Sequence, residues 1–249
     1  MQTFDLSSRV YVITGAGGGI GSTLATHLHQ CGAKLVLGGR DQDKLENIAA
    51  KTGGFALPHD GSDFASAEKL VAAAIEKFGR IDGAVCCSGS VILKPAHLTT
   101  QQEYEATMAA NSAAAFGLVR AATKPMMENG GSIVLIASAA SVGGLANHEA
   151  IAAGKGAVMG LTLSSAATYA RYKIRVNCIA PGLVETPLTA RITGNETSLK
   201  ASLAMHALGR IGKAEDIAAA ATWLLSDDSS WMTGNTMSID GGLANLRAR

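Results

Sequence analysis

Between Val10 and Gly21 the chain reads Val-Tyr-Val-Ile-Thr-Gly-Ala-Gly-Gly-Gly-Ile-Gly, and few folds accommodate that run. A short apolar β-type segment stops at a glycine cluster. Helical periodicity then takes over from Ser22 to Cys31 and ends at Gly32, a good helix stop. Strand, glycine turn and helix in that order leave helix N-terminal amides unpaired, and the absent side chains let a pyrophosphate approach the backbone. A second strand at Lys34–Leu37 completes a βαβ unit, which sets this run apart from an isolated glycine turn. The alternative is a tight turn that holds no ligand.

The alternation continues along the chain. Asp41 caps a helix running to about Lys51, and Gly54–Leu57 reads as a third strand followed by the acidic turn His59-Asp60-Gly61. Asp63 caps the next helix, whose apolar face of Leu70, Val71, Ala74, Ile75 and Phe78 ends at Gly79. Ile81–Cys87 is a fourth strand, and a long helical zone entered at Thr99-Thr100 ends near Gly130-Gly131. Ser132–Ala137 has the continuous apolar character of a strand buried on both faces. A small-residue loop to about Asn147 precedes a helix to about Tyr172, and Ile174–Ile179 is a sixth strand before Pro181-Gly182 turns the chain outward. Thr186–Gly209 is polar and mixed, as a mobile lid would be. A helix over Lys213–Leu225 and a last strand at Thr236–Ile239 close the pattern.

The 249 residues are 47% hydrophobic but only 4% aromatic, so the side chains suit helices packed closely on both faces of a parallel sheet. No shift of composition marks a linker. The expectation is one doubly wound, Rossmann-type α/β domain over residues 1–249, with its ligands at the carboxyl ends of the strands. That edge would gather Gly15–Gly21, Asp60, Gly89, Ser138 and Pro181-Gly182. The net charge of +1 and the lack of a basic cluster interleaved with aromatics argue against nucleic-acid or anionic-membrane partners. Cys31, Cys86, Cys87 and Cys178 have neither zinc spacing nor the pattern of a secreted disulfide framework. With no signal-peptide pattern and no uninterrupted apolar span of membrane length, a soluble cytoplasmic protein with reduced thiols is expected.

These motifs together resemble the short-chain dehydrogenase/reductase family over nearly the whole chain. Thr14-Gly15-Ala16-Gly17-Gly18-Gly19-Ile20-Gly21 matches the family's TGxxxGxG, and Asp60, with Gly61, sits where an adenine-contacting aspartate follows the third strand. Asn111, Ser138 and Lys155 fall on three positions of the catalytic Asn–Ser–Tyr–Lys set. Ile174-Arg175-Val176-Asn177 with Pro181-Gly182, Val184 and Thr186 resembles the segment that closes over nicotinamide, and Thr233-Gly234 and Asp240-Gly241-Gly242 complete the pattern. The resemblance implies a nicotinamide cofactor, a small-molecule substrate and a homotetramer, or alternatively a homodimer. The long helices around Asn111 and Lys155 would pack across one interface and the C-terminal region across another.

Two departures stand out. Where the family has Asn-Asn-Ala-Gly, this chain has Cys86-Cys87-Ser88-Gly89, whose small residues still permit packing on the adenine side. Paired thiols there are either redox-active or, more simply, buried and structural. The catalytic tyrosine belongs four residues before the lysine, and position 151 is isoleucine, which has no proton to give. His148 is the candidate substitute. It lies seven residues before Lys155, which on a continuous helix shares a face with it, and the superfamily's enoyl reductases place their tyrosine at that spacing. Histidine as a residue type exchanges protons near neutral pH. The alternative is that His148 and Glu149 cap the helix or face solvent. They form no zinc motif, since the second histidine would fall at Ala152. In the family, the lysine also hydrogen-bonds the nicotinamide ribose, a task that does not need tyrosine at 151. Ser138, with Ser141 as a second candidate, would hold a substrate oxygen, and the Asn111 amide can also stabilise a helix bend. After the second strand the chain has Gly38-Gly39-Arg40 with no acid, which favours NADP over NAD through pairing with a 2′-phosphate. The second basic residue often found in the glycine loop is absent, since Gly18 stands there. NAD therefore stays open as a second cofactor.

Overall fold

A computed structural model describes residues 4–247. The first strand, β1 (Val10–Thr14), is buried along its whole length, as a strand flanked on both sides and covered on both faces must be. It pairs in parallel with β2 (Lys34–Gly39) on one side and β4 (Gly83–Cys86) on the other. Outward from these lie β3 (Phe55–Pro58), β5 (Gly131–Ile136), β6 (Ile174–Pro181) and β7 (Thr236–Ile239). All seven strands are parallel, in the order β3-β2-β1-β4-β5-β6-β7. The order reverses between β1 and β4, which opens a crevice at their carboxyl ends.

Helices cover both faces. On one face α1 (Gly19–Gln30), α2 (Gln42–Thr52) and α9 (Ala214–Leu225) bury Leu24, Leu28, Leu45, Ile48, Ile217 and Leu224 against Ile13, Leu35 and Leu37. On the other, α3 (Phe64–Phe78), α5 (Ala114–Met126) and α6 (Glu149–Tyr169) bury Leu70, Val71, Leu118 and Val158 against Val12, Val36 and Ile133. The helix stops follow local chemistry: Gly53 and Gly79 take the left-handed conformation at the ends of α2 and α3, where a side chain would be strained. The predicted N-caps also form, with Asp41 accepting from Lys44 N and Asp63 from Ala65 N.

Three elements differ from the sequence expectation. The first helix begins at Gly19 rather than Ser22, because the glycines of the turn themselves form its first turn. The long helical zone is α4 (Gln101–Met108), a π-helical turn at Ala109–Ala113 and then α5. The lid region is ordered into α7 (Ala190–Thr193) and α8 (Glu196–Met205), each short and partly exposed. The stretch Glu149–Tyr172 is long and apolar enough by length and composition to cross a membrane. Its buried residues Ile151, Lys155, Val158, Thr162 and Ala166, with its packing along β6, are those of a helix covering a parallel sheet.

Candidate active site

The glycine run builds the floor of the crevice. Gly15 has φ +69°, and a side-chain carbon there would lie 2.6 Å from Ser88 N and 2.7 Å from Cys87 C, so the turn after β1 packs directly on the loop after β4. At Gly21 an added carbon would collide with Gly15 O, which is why the helix can start so close under the turn. At Gly19 it would sit 2.7 Å from Thr186 Cγ2, which places the threonine that begins the lid over the first turn of α1. Gly18, the N-cap of α1, has no side chain to cap with, and Gly18 N donates to Gly15 O. Among the described residues, the amides of Gly19, Ile20 and Gly21 have no protein acceptor. Three uncapped amides at a helix N-terminus are a ready anion site. The residues present therefore fit the pyrophosphate of a dinucleotide.

Asp60 and Gly61 flank the same floor. The Asp60 carboxylate accepts from Ser62 N (2.9 Å) and Ser62 Oγ (2.7 Å), and those bonds hold it below the usual carboxylate range. An added carbon at Gly61 would be 3.1 Å from Ala114 Cβ and 3.5 Å from Ser88 Cβ, so this turn touches both α5 and the loop after β4. Arg40 is exposed just past β2, on the side of Asp60, whose carboxylate it helps hold ionised. The thiols of Cys86 and Cys87 are pushed up by burial, and that of Cys178 is pushed up to about 11. All four cysteines are free, and these three thiols stay protonated, so they read as packing residues rather than redox-active ones. Thr14 Oγ1, buried beside the Cys86 thiol, has no hydrogen-bond partner among the described residues.

At the centre, Lys155 reaches from α6 under the sheet edge and donates to Ile136 O at 2.7 Å. Burial lowers its pKa, and no carboxylate forms an ion pair with it among the described residues. Asn111 sits in the π-helical turn, where its Nδ2 donates to Thr107 O (2.8 Å) and to Ser90 Oγ (3.1 Å), and its Oδ1 accepts from Ser90 N (3.3 Å). A carbon added to Gly89 would be 3.0 Å from Asn111 Oδ1 and 3.2 Å from Lys155 Nζ, so Gly89, Asn111 and Lys155 meet at one corner. Ser138 follows β5, where its Oγ accepts from Ala140 N (3.2 Å) while Ser141 Oγ donates to Ser138 O (2.6 Å). Among the described residues the Ser138 hydroxyl proton has no protein acceptor, and Ser141 is committed to the loop itself.

Ile151, one helical turn before Lys155, is only 4% exposed and brings no polar atom to this corner. His148 differs from the expectation in one respect. The helix starts at Glu149, and His148 is its N-cap with φ −114° and ψ 15°, so the shared-face argument for a continuous helix does not extend through it. Its ring does not cap the helix either. Nδ1 donates to Ala146 O at 2.7 Å, which fixes the ring on its own loop and leaves Nε2 without a partner among the described residues.

Two residues not singled out from the sequence help build the site. Ser90 is bonded twice to Asn111, and only its place directly after Gly89 hinted at this. His206, at the end of α8, donates from Nδ1 to Ser202 O (2.6 Å) and accepts at Nε2 from Leu183 N (3.2 Å). That ring pins the lid to the end of β6 beside Gly182, where an added carbon would lie 2.7 Å from His206 Nε2.

A family model described as enoyl-(acyl carrier protein) reductase matches residues 15–244. The chain is 35% identical to a 2,5-dichloro-2,5-cyclohexadiene-1,4-diol dehydrogenase of Sphingobium indicum, over 97% of this chain and 99% of the relative. It is 35% identical to levodione reductase of Leifsonia aquatica, over 96% of each chain. Among solved structures, a short-chain type dehydrogenase/reductase from Mycobacterium ulcerans superposes with a TM-score of 0.94 at 30% identity, covering 98% of this chain and 93% of that one. The structure of levodione reductase gives 0.90 at 35% identity, covering 96% and 98%.

Proposed function

The chain belongs to the short-chain dehydrogenase/reductase family, oxidoreductases with nicotinamide cofactors, and on that premise we propose that it is an NADP(H)-dependent enzyme. Its substrate would be a small carbonyl compound, alcohol or activated alkene. The observation that carries the reading is the uncapped first turn of α1, whose three free amides follow the Gly15 turn that packs on Cys87 and Ser88, the residues leading into the corner of Gly89, Asn111 and Lys155.

In this reading Gly15 and Gly17–Gly21 hold the pyrophosphate, and Asp60, Gly61, Cys87, Ser88 and Gly89 line the adenine and ribose side. Pro181, Gly182, Val184 and Thr186 close over the nicotinamide, which supplies or takes the hydride when bound. Lys155 binds the ribose. Ser138 spends its free hydroxyl proton on the substrate oxygen. Asn111 fixes the corner on which Lys155 rests. His148, anchored through Nδ1, offers Nε2 as the group that gives or removes the proton, in place of the tyrosine that Ile151 replaces. Arg40 pairs with the 2′-phosphate of NADP. Titrating the protein with NADPH and NADH tests this choice. NADPH should bind about tenfold more tightly, as one charge-assisted pair contributes, and Arg40→Ala should remove the difference. Equal affinities in the unaltered protein would contradict it.

A second reading is favoured by Ile151 itself: a nucleotide-binding protein that has lost its chemistry and acts as a sensor or assembly partner. It predicts cofactor binding with no turnover. The protein is expected to work in the cytoplasm as a homotetramer. Exposed Phe116 on α5, stacked on Phe64 at 5.6 Å, and exposed Leu163 on α6 offer apolar surface for such an assembly.

A further inference from the structure

The two bonds between Asn111 and Ser90 have a consequence for the Ser90 hydroxyl. Thr107 O can only accept, so the Asn111 amide must turn its nitrogen toward it. Ser90 N can only donate, so the amide oxygen must face Ser90 N. The amide orientation is therefore fixed from both sides, and its second N–H points at Ser90 Oγ. Since that oxygen accepts from Asn111, its own proton must go elsewhere, and no protein atom among the described residues accepts it. Donation from the amide also polarises the hydroxyl and makes it a better donor. Ser90 is only partly buried, directly follows Gly89, and so stands at the corner where Lys155 Nζ and Asn111 Oδ1 converge.

We propose that Ser90 is a further binding residue of the site, whose hydroxyl donates to a ligand oxygen held beside Lys155. This rests on the oxidoreductase reading. The acceptor is a hydroxyl or carbonyl oxygen, supplied by the nicotinamide ribose or by the substrate. The arrangement gives this chain a second serine donor, with Ser138, where Ile151 contributes none.

The test uses the full chain with Ser90→Ala, Ser90→Cys and Ser90→Thr. Dissociation constants for NADPH are measured by fluorescence, and kcat and KM at saturating NADPH on the best substrate of a carbonyl and alkene panel. Loss of one hydrogen bond should weaken one of these quantities by roughly three- to tenfold in Ser90→Ala and Ser90→Cys, with Ser90→Thr close to the unaltered protein. A loss in the NADPH dissociation constant assigns the ribose as acceptor. A loss confined to kcat/KM assigns the substrate oxygen. Ser90→Cys keeps the shape of serine with a somewhat larger, weakly donating sulfur in place of the oxygen, so it serves if Ser90→Ala folds poorly. The proposal is overturned if Ser90→Ala and Ser90→Cys match the unaltered protein in both quantities, or if Ser90→Thr is as impaired as they are. Failure of the unaltered protein to bind either dinucleotide would instead overturn the oxidoreductase reading, and this assignment with it.

Discussion

Lys155 shows how one buried side chain in a candidate site can cost stability. Among the described residues its amine has a single acceptor, Ile136 O, and no carboxylate partner, and burial lowers its pKa from the ordinary value of 10.5. Below pH 10.5 the unfolded chain therefore binds this proton more readily than the folded one, so stability from this group rises with pH and is reduced at neutral pH. Lys155→Met should be more stable than the unaltered protein at pH 7, by about 1 kcal/mol or more. The advantage should shrink as the pH is raised toward 10.5, and dinucleotide affinity should be lost. Urea unfolding across that pH range checks both the sign and the slope, and a Met variant less stable at every pH would refute the argument. Lys155 could be singled out in the sequence only through the resemblance to the family's Asn–Ser–Tyr–Lys set, not from any local pattern. Ser90 could not be, because its role depends on which way an amide on a distant π-helical turn faces, and no local pattern records that. The setting of the His148 ring was not legible for a similar reason: neither a shared helix face nor a helix cap describes its bond to Ala146 O, which belongs to the loop.

Individual helices were legible where their ends carry their own chemistry. Asp41, Asp63, Gly53 and Gly79 each satisfy or relieve a backbone group within a few residues, so the limits of α2 and α3 could be read closely. The π-helical turn at Ala109–Ala113 could not, since Ala, Asn and Ser give it no signature and its stability comes from Asn111 reaching Thr107 O and Ser90. The end of α9 depends on tertiary contact in the same way. Half-buried Arg175 on β6 donates to Leu224 O (2.9 Å) in the last turn, to Ser226 O (3.1 Å) at the C-cap and to Met232 O (3.3 Å) beyond it, so a cation ties the end of that helix to the loop that follows. Arg175→Ala should cost about 2 kcal/mol of unfolding free energy, read by denaturant melts, with hydrogen exchange accelerated first at the C-terminal turn of α9. Unchanged exchange there would show that the helix end holds without the guanidinium.

For the whole molecule, strand alternation and the glycine run were enough to anticipate a parallel doubly wound sheet, because a buried parallel strand announces itself as an unbroken apolar run. Association of several chains is a property of surfaces, which periodicity does not reveal. If the exposed faces of α5 and α6 join subunits, light scattering should give the mass of four chains, and Leu163→Glu or Phe116→Glu should lower it to two or one while the far-ultraviolet spectrum stays unchanged. A single-chain mass for the unaltered protein would contradict that assembly. The central claim is that a family site lacking its tyrosine still moves a proton, through His148. The most direct measurement is NADPH consumption on a panel of ketones, diketones and activated alkenes, comparing the unaltered protein with His148→Ala and Ile151→Tyr. Turnover in the unaltered protein should fall at least about a hundredfold in His148→Ala, the usual contribution of a positioned general acid. A silent unaltered protein, with activity appearing only in Ile151→Tyr, would contradict it and leave a scaffold that binds its cofactor without using it.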